Sequence, residues 1–325
     1  MAIYKAANSD IWQGRHDSAE GSSAMRWHER MEFIDLRSEE TDIPGPVKKG
    51  IALLGFCCDE GVRLNHGRTG AAQGPDSIRS ACANLPDHLA QGSLLIDAGN
   101  LFPGTDKVEV IQAQLGYYQA QLLDMGLTPL VLGGGHELAF GSFLGLAGHN
   151  SGASKIGIIN LDAHFDLRIP SPQANSGTSF YQMYSWCQER SVPFEYLCVG
   201  IQEFSNTRAL FQRAEHLGAE YISADELRKG EALDAGRRID RFVENADVVY
   251  LSICLDVFNA SQAPGVSAPN PAGIDVRDAL PIVRRIARSG KLACADIAEL
   301  NPAYDIDRRT ARLASCLLFE ISRLL

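Results

Sequence analysis

The sequence predicts a doubly wound α/β domain with an eight-stranded parallel sheet, and three observations carry that prediction. Eight short apolar runs recur along the chain, each continuous rather than alternating, as expected when helices cover both faces of a parallel sheet. Longer amphipathic stretches separate the runs. No shift in composition divides the alternation into two domains.

The runs are Ile51–Phe56, Leu94–Asp97, Pro129–Leu132, Ile156–Leu161, Tyr196–Gly200, Glu220–Ser223, Val248–Leu255 and Leu292–Ile297. Helix-like stretches cover Pro75–Leu85 after Gly74, Lys107–Met125 after Thr105-Asp106, and Glu137–Ala147 after a glycine turn. Others are Asn206–Leu217, Ala232–Asn245, Val276–Arg288 and Arg308–Arg323, with Asp275 and Asp307 placed to cap the last two. The first 45 residues are polar and weakly periodic and run into Pro44-Gly45-Pro46. Residues 1–45 are therefore expected to form an N-terminal extension packed on a single domain spanning 46–325.

Composition narrows the function. The chain has 325 residues, 45% of them apolar, with 30 Lys and Arg against 40 Asp and Glu for a net charge of −10. That balance argues against a nucleic-acid partner but leaves a small anionic substrate open, because charge inside a site can oppose the global charge. No apolar run approaches the roughly 20 residues of a membrane-spanning helix. Met1 to Asp10 lacks the basic-then-apolar pattern of a secretory signal. The eight cysteines are scattered and none forms Cys-x-x-Cys, which removes zinc-ribbon and thioredoxin-type readings. They read as reduced, buried small hydrophobes, and a cytoplasmic enzyme is the expectation.

Ligands of such folds sit beyond the carboxyl ends of the strands. After the third run comes Gly133-Gly134-Gly135-His136-Glu137, and after the fourth Asp162-Ala163-His164-Phe165-Asp166-Leu167-Arg168. The seventh ends in Ser252-Ile253-Cys254-Leu255-Asp256 and the eighth leads into Glu299-Leu300-Asn301-Pro302. All four clusters fall on one edge of the inferred sheet. Asp162, His164 and Asp166 lie two residues apart, so extended backbone projects all three to one side, where a cation would relieve their repulsion. The plainer alternative is a solvated loop with capping aspartates. His136 and Glu299 each have a structural alternative too, as a satisfied histidine and a loop-holding carboxylate. A phosphate cradle on the glycines fits poorly, since no Lys or Ser/Thr follows in P-loop spacing and Glu137 would repel the anion.

From about Ile51 to its end the chain resembles the ureohydrolase (arginase and agmatinase) family. The matching elements are Gly134-Gly135-His136, Asp162-Ala163-His164-Phe165-Asp166, Ser252 to Asp256, Glu299-Leu300-Asn301-Pro302, and Gly70-Ala71-Ala72-Gln73-Gly74-Pro75 with Ile78-Arg79. The resemblance implies a three-layer α/β/α domain and a site for two manganese ions (Mn2+). One ion would fall to His136 and Asp166, the other to His164 and Asp256, with Asp162 bridging. Where the family carries a further bridging Asp this chain has Cys254, a soft donor that manganese favours less, so one site is expected to be weakened; a softer metal, or a cysteine tucked away as a hydrophobe, are the alternatives.

Within the family, Gly61 to Arg68, Asp166-Leu167-Arg168, Ser176 to Phe180 and Ala263 to Pro269 are similar to the members that hydrolyse N-formimidoyl-glutamate. Ser176-Gly177-Thr178 has no histidine where arginases carry a catalytic one. The implied reaction is attack of hydroxide, generated on the ions, at the amidine carbon, giving glutamate and formamide in histidine degradation. Asp166 would carry a proton to the leaving nitrogen, and Glu299 would pair with the amidine. Arg168, Arg68, Asn65 and Thr178 are the candidates for the substrate's carboxylates, with Arg63 a further arginine on the same loop. An agmatinase- or guanidinobutyrase-like hydrolase and a catalytically silent relative remain alternatives. Family members are often trimers or hexamers, so a homo-oligomer is the expectation by resemblance.

Overall fold

The computed structural model describes residues 3–38, 50–104, 107–150, 155–228 and 232–325. All eight predicted runs are strands. They are β3 (Gly50–Phe56), β4 (Leu94–Phe102), β5 (Thr128–Leu132), β6 (Ile156–Leu161), β7 (Glu195–Ile201), β8 (Glu220–Ser223), β9 (Val248–Cys254) and β10 (Leu292–Ala298). They pair parallel throughout, in the spatial order β4-β3-β5-β10-β9-β6-β7-β8.

Two short strands add to the predicted eight. β1 (Ile3–Lys5) pairs antiparallel with β4 at Asn100 to Phe102, and β2 (Glu32–Phe33) pairs parallel with it at Ile96 and Asp97. Strands of three and two residues are too short to show a period, which is why the polar N-terminal segment reads as featureless. Their effect is to cover the open edge of β4, whose unpaired amides would otherwise invite another chain. The junction at 45/46, with Pro44-Gly45-Pro46, lies outside the described residues, as do Thr105 and Asp106.

Helices cover both faces because the strands are apolar on both. One layer holds α3 (Gly74–Cys82), α8 (Ala224–Arg228), α9 (Ala232–Asn245), α10 (Val276–Ala287) and α11 (Arg309–Ser322). The other holds α4 (Val108–Asp124), α5 (Leu138–His149), α6 (Ser179–Arg190) and α7 (Arg208–His216). In β3, Ile51 and Leu53 face the first layer while Ala52 and Leu54 face the second, so period-2 geometry buries every side chain of one continuous run. Two brief helices, α1 (Trp27–Arg30) and α2 (Glu60–Leu64), complete the set among the described residues. No helix there is long and apolar enough to cross a membrane.

Two local readings are corrected. No helix is predicted between the fourth and fifth runs, yet α6 is there. Its buried stripe, Phe180, Met183 and Cys187, has helical spacing but is diluted by the half-buried Tyr181, Tyr184 and Trp186. Asp275 caps α10 as expected, its side chain accepting from the Arg277 amide. Asp307 does not cap α11. It sits at φ 54°, outside the helix, and the Asp305 carboxylate accepts from the amides of Thr310 (2.8 Å) and Ala311 (2.9 Å) instead.

Candidate metal centre and active site

Sheet order brings the four predicted clusters together. β5, β10, β9 and β6 are four successive neighbours in the middle of the sheet, and the clusters are their carboxyl ends. The glycines after β5 let its exit loop run close to the backbones beside it. A Cβ on Gly134 would lie 1.9 Å from the Cys58 carbonyl oxygen. The loop instead continues the ladder, with Gly134 N donating to Phe56 O and Glu299 N donating to Gly134 O. That backbone pairing sets His136 beside Glu299, whose Oε1 accepts from the His136 amide at 2.9 Å.

His136 Nδ1 lies 2.9 Å from Asp166 Oδ2 and 3.1 Å from Asp162 Oδ2. His164 Nδ1 lies 3.2 Å from Asp256 Oδ2 and 3.5 Å from Asp162 Oδ1. Two sets of ligand atoms each fall within 4.8 Å of one another: His136, Asp162 and Cys254, and Asp162, His164 and Asp256. Asp162 belongs to both, the position of a bridge. Cys254 is a member of the first set, not a hydrophobe turned away from it.

The orientation of His136 is fixed from behind. Ser252 Oγ donates to Asp296 Oδ1 at 2.6 Å, and Tyr250 Oη donates to the other oxygen of Asp296. With its one proton committed, Ser252 Oγ accepts from His136 Nε2 at 2.9 Å. Nε2 therefore carries a proton, and Nδ1 is the nitrogen turned toward the carboxylates, where a cation would displace its proton. Sequence reading missed Asp296 and Tyr250, although an aspartate inside the apolar run 292–297 was a visible signal.

Electrostatics show what the cluster lacks. Burial disfavours a charged His136, but the bonds and charges of Asp162 and Asp166 outweigh it and hold the imidazole well above its ordinary pKa. The same contest, with Asp256 and Asp162 as the partners, raises His164. Asp162 is depressed by both imidazoles against the opposing effect of burial. Asp166 is raised by burial and by Asp162. Burial, then the charges of Asp256 and Glu137, push Glu299 up to about 8. Burial among the surrounding carboxylates also keeps the Cys254 thiol protonated. Carboxylates thus outnumber the groups that can neutralise them, and Asp256 Oδ1 is buried with no hydrogen-bond partner. Imidazole and carboxylate donors crowded in this way fit a hard or borderline divalent cation; only the sulfur is out of character.

Beside the cluster opens a cavity of about 310 Å³. His136, His164, Asp166, Asp256, Glu299 and Cys254 line one part of it, and Arg168, Arg68, Asn65, Ser176 and His66 another. A larger cavity, about 700 Å³, lies between α9 and α10 and shares no residue with this one. Of the predicted carboxylate binders, Arg168 is exposed, and its guanidinium has no protein partner among the described residues. Arg68 is anchored: Nε donates to Ser267 O at 3.0 Å, Nη2 donates to Val266 O, and the guanidinium lies over the Tyr304 ring at 4.0 Å. Asn65 Nδ2 donates to Ser176 Oγ at 3.1 Å.

Two candidates are not brought to the site. Thr178 is fully buried, its hydroxyl donating to Asn175 O at 2.8 Å and lying 3.1 Å from Gln182 Oε1, and it does not line the cavity. The neighbouring Ser176 takes the position expected of it. Arg63 points outward to Glu60, with its side chain 60% exposed.

Backbone conformation sets the site apart as well. Asp166, Glu299 and His66 have φ of 45°, 72° and 61°, a region side-chain-bearing residues rarely enter, and all three line the cavity.

The chain is similar to proteins of known fold over nearly its whole length. The sequence pattern of the Arginase family matches residues 49–322. A formimidoylglutamase of Ralstonia nicotianae is 45% identical over 323 residues, covering 98% of this chain and 96% of the relative. The crystal structure of formimidoylglutamase from Bacillus subtilis has the same fold, with a TM-score of 0.81 at 22% identity over 96% of this chain and 94% of that one. The crystal structure of Trypanosoma cruzi formiminoglutamase with Mn2+ gives a TM-score of 0.75 at 25% identity over 84% of this chain and 92% of that one. With the match running along nearly the whole chain and the sheet order in place, the chain belongs to the arginase family.

Proposed function

We propose that this protein hydrolyses N-formimidoyl-L-glutamate to L-glutamate and formamide, acting in the cytoplasm in histidine degradation as a manganese enzyme with two ions per subunit. The observation that carries the reading is the pairing, in one cavity, of an uncompensated carboxylate cluster with the unengaged guanidinium of Arg168. The cluster suits cations and a cationic amidine; the guanidinium suits the carboxylates on the same substrate. A guanidine with a cationic tail would meet Arg168 as a like charge. The relatives named formimidoylglutamase support the same substrate. The catalytic unit is read as residues 46–325 with 1–45 packed on it, and the assembly as a homo-oligomer.

In this reading His136 and Asp166 would hold one ion and His164 and Asp256 the other, with Asp162, a member of both ligand sets, within reach of each. Manganese, when bound, supplies a water of lowered pKa. Arg168 anchors the glutamate end of the substrate, with Asn65 and the Arg68 wall beside it. Glu299 faces the amidine; the arriving positive charge favours its ionised form, offsetting the burial that raises its pKa. Oxygen adds to the amidine carbon, the bond from that carbon to the glutamate nitrogen breaks, and the nitrogen gains a proton. Asp166, hydrogen-bonded to His136, is placed to carry that proton.

The test is turnover in manganese-loaded and chelator-treated samples. Formamide and glutamate release from N-formimidoyl-glutamate, abolished by chelation, is the expected result. Urea release from agmatine or 4-guanidinobutyrate instead overturns the assignment. Cys254 should weaken manganese binding, so Cys254→Asp is expected to tighten it by about tenfold in a metal titration, because an oxygen donor replaces sulfur. Unchanged affinity removes that role, and inactivity of the loaded Cys254→Asp protein points to a silent relative.

A further inference from the structure

We infer that His66 binds one of the two carboxylates of the substrate while Arg168 binds the other, an assignment that rests on the proposed reaction and names a residue it does not use. The first observation is conformational. α2 ends with Gly67 N donating to Val62 O at 2.8 Å, and His66 occupies the left-handed position of that turn at φ 61°. Glycine fills such a position at little cost, and a residue with a side chain is uncommon there, although His, like Asn and Asp, tolerates it better than most. Nothing in the turn itself uses the ring.

Place supplies the second observation. Six residues other than glycine have positive φ among the described residues. Ser191, Asp307 and Arg308 flank the ends of α6 and α11. The other three, Asp166, Glu299 and His66, line one cavity. Two of these already carry the chemistry of the site.

Donor supply is the third. A substrate with two carboxylates needs two sets of donors. Arg68 is anchored by the Val266 and Ser267 carbonyls, Asn65 is engaged with Ser176, Arg63 pairs with Glu60 outside the cavity, and Thr178 is sealed in its own loop. His136 and His164 are held by the carboxylate cluster. Arg168 and His66 are the remaining nitrogen donors of the cavity wall whose side chains meet no protein partner among the described residues. An imidazole and a guanidinium lining one cavity give the two recognition points that a dianionic amino-acid derivative presents, and that a monocarboxylate would leave half filled.

Steady-state kinetics on the manganese-loaded protein test this with three substrates: N-formimidoyl-glutamate and its two mono-carboxamides, amidated at the α or the γ position. His66→Gly, which the left-handed backbone accepts, is expected to raise KM for the parent substrate about tenfold, the size of one lost charge-assisted hydrogen bond, with the loss carried by KM rather than kcat. For one of the two amides, the one lacking the carboxylate that His66 holds, the same variant should differ from wild type by less than about twofold in KM. His66→Asn, which retains an N–H donor in a residue tolerant of this φ, should fall between. The melting temperature of His66→Gly should equal or exceed that of wild type. Equal losses on all three substrates mean a structural role and overturn the inference, as does an unchanged KM for the parent. Wild-type protein that fails to turn over N-formimidoyl-glutamate overturns the proposed reaction and this inference together; turnover with an unaffected His66→Gly variant overturns only this one.

Discussion

Two buried charged regions of this molecule are both built around aspartates and behave in opposite ways. In the first, Arg79 of α3 meets Asp97 of β4. Asp97 accepts from Arg79 Nε (2.7 Å) and Nη2 (2.8 Å), from Trp12 Nε1 (2.8 Å) and from the Gly99 amide (3.1 Å). The other Arg79 donors reach Asn100 and the Gly99 carbonyl. One buried cation meets one buried anion, with the exposed Asp76 3.8 Å from Arg79 Nη1 at the margin, and the hydrogen bonds close around them. In the second, Asp162, Asp166, Asp256 and Glu299 share the space of two imidazoles, and Asp256 Oδ1 is left without a partner. Two of its backbones are left-handed and its histidines are driven toward the charged form. A closed set of charges holds a fold together, whereas an unbalanced one needs something from outside. That difference is a sharper mark of a functional site than burial or charge alone.

The comparison is broken or sharpened by mutation. Asp162→Asn removes the carboxylate shared by both ligand sets and should lower turnover by about a thousandfold or more. In chelator it should cost less stability than Asp97→Asn, because relief of the repulsion with Asp166 offsets part of the lost bonds to His136 and His164; an equal or larger loss would erase the distinction between the regions. Asp97→Asn should do the reverse, costing about 3–5 kcal/mol in urea denaturation by leaving Arg79 buried with no buried anion and only the exposed Asp76 beside it, with activity per folded molecule unchanged. Asp296→Asn sits between the two, touching His136 only through Ser252. It should weaken manganese binding about 10- to 100-fold by calorimetry, with a smaller effect on stability.

The smallest effect belongs to Glu320, a second closed set. Its bonds to Arg284, and next to Arg323 against the opposing effect of burial, hold its carboxyl down to about 2. A depressed carboxyl stabilises the folded state above its unfolded pKa and loses that contribution as pH falls toward 2. Wild type should therefore lose about 1 kcal/mol more than Glu320→Gln between pH 5 and pH 2. Equal losses in urea titrations at the two pH values would mean the pair is idle.

Much of the molecule is legible in the chain. The eight runs become the eight parallel strands within a few residues, because a strand buried on both faces must be apolar throughout. β1 and β2 were invisible, being too short for a pattern, and α6 was masked by its half-buried aromatics. His136, Asp162, His164, Asp166, Asp256, Glu299, Arg168, Arg68 and Asn65 all reach one cavity or the ligand sets beside it, since each follows a strand or lies on a loop beyond that edge of the sheet. Thr178 failed for a reason that motif spacing does not carry: its hydroxyl is captured by Asn175 O, three residues back.

By itself, the sequence determined which segments are strands and which side chains stand at their ends, because both follow from local patterning. Only the tertiary structure decided that β5, β10, β9 and β6 lie side by side, although β5 and β10 are far apart in the chain. Crossover connections set strand neighbours, and the choice depends on how helices pack across the whole sheet. The same holds for the Tyr250, Asp296 and Ser252 chain that aims His136, and for the turn that presents His66. Each is a contact between distant segments, and a contact of that kind exists only once the sheet is assembled.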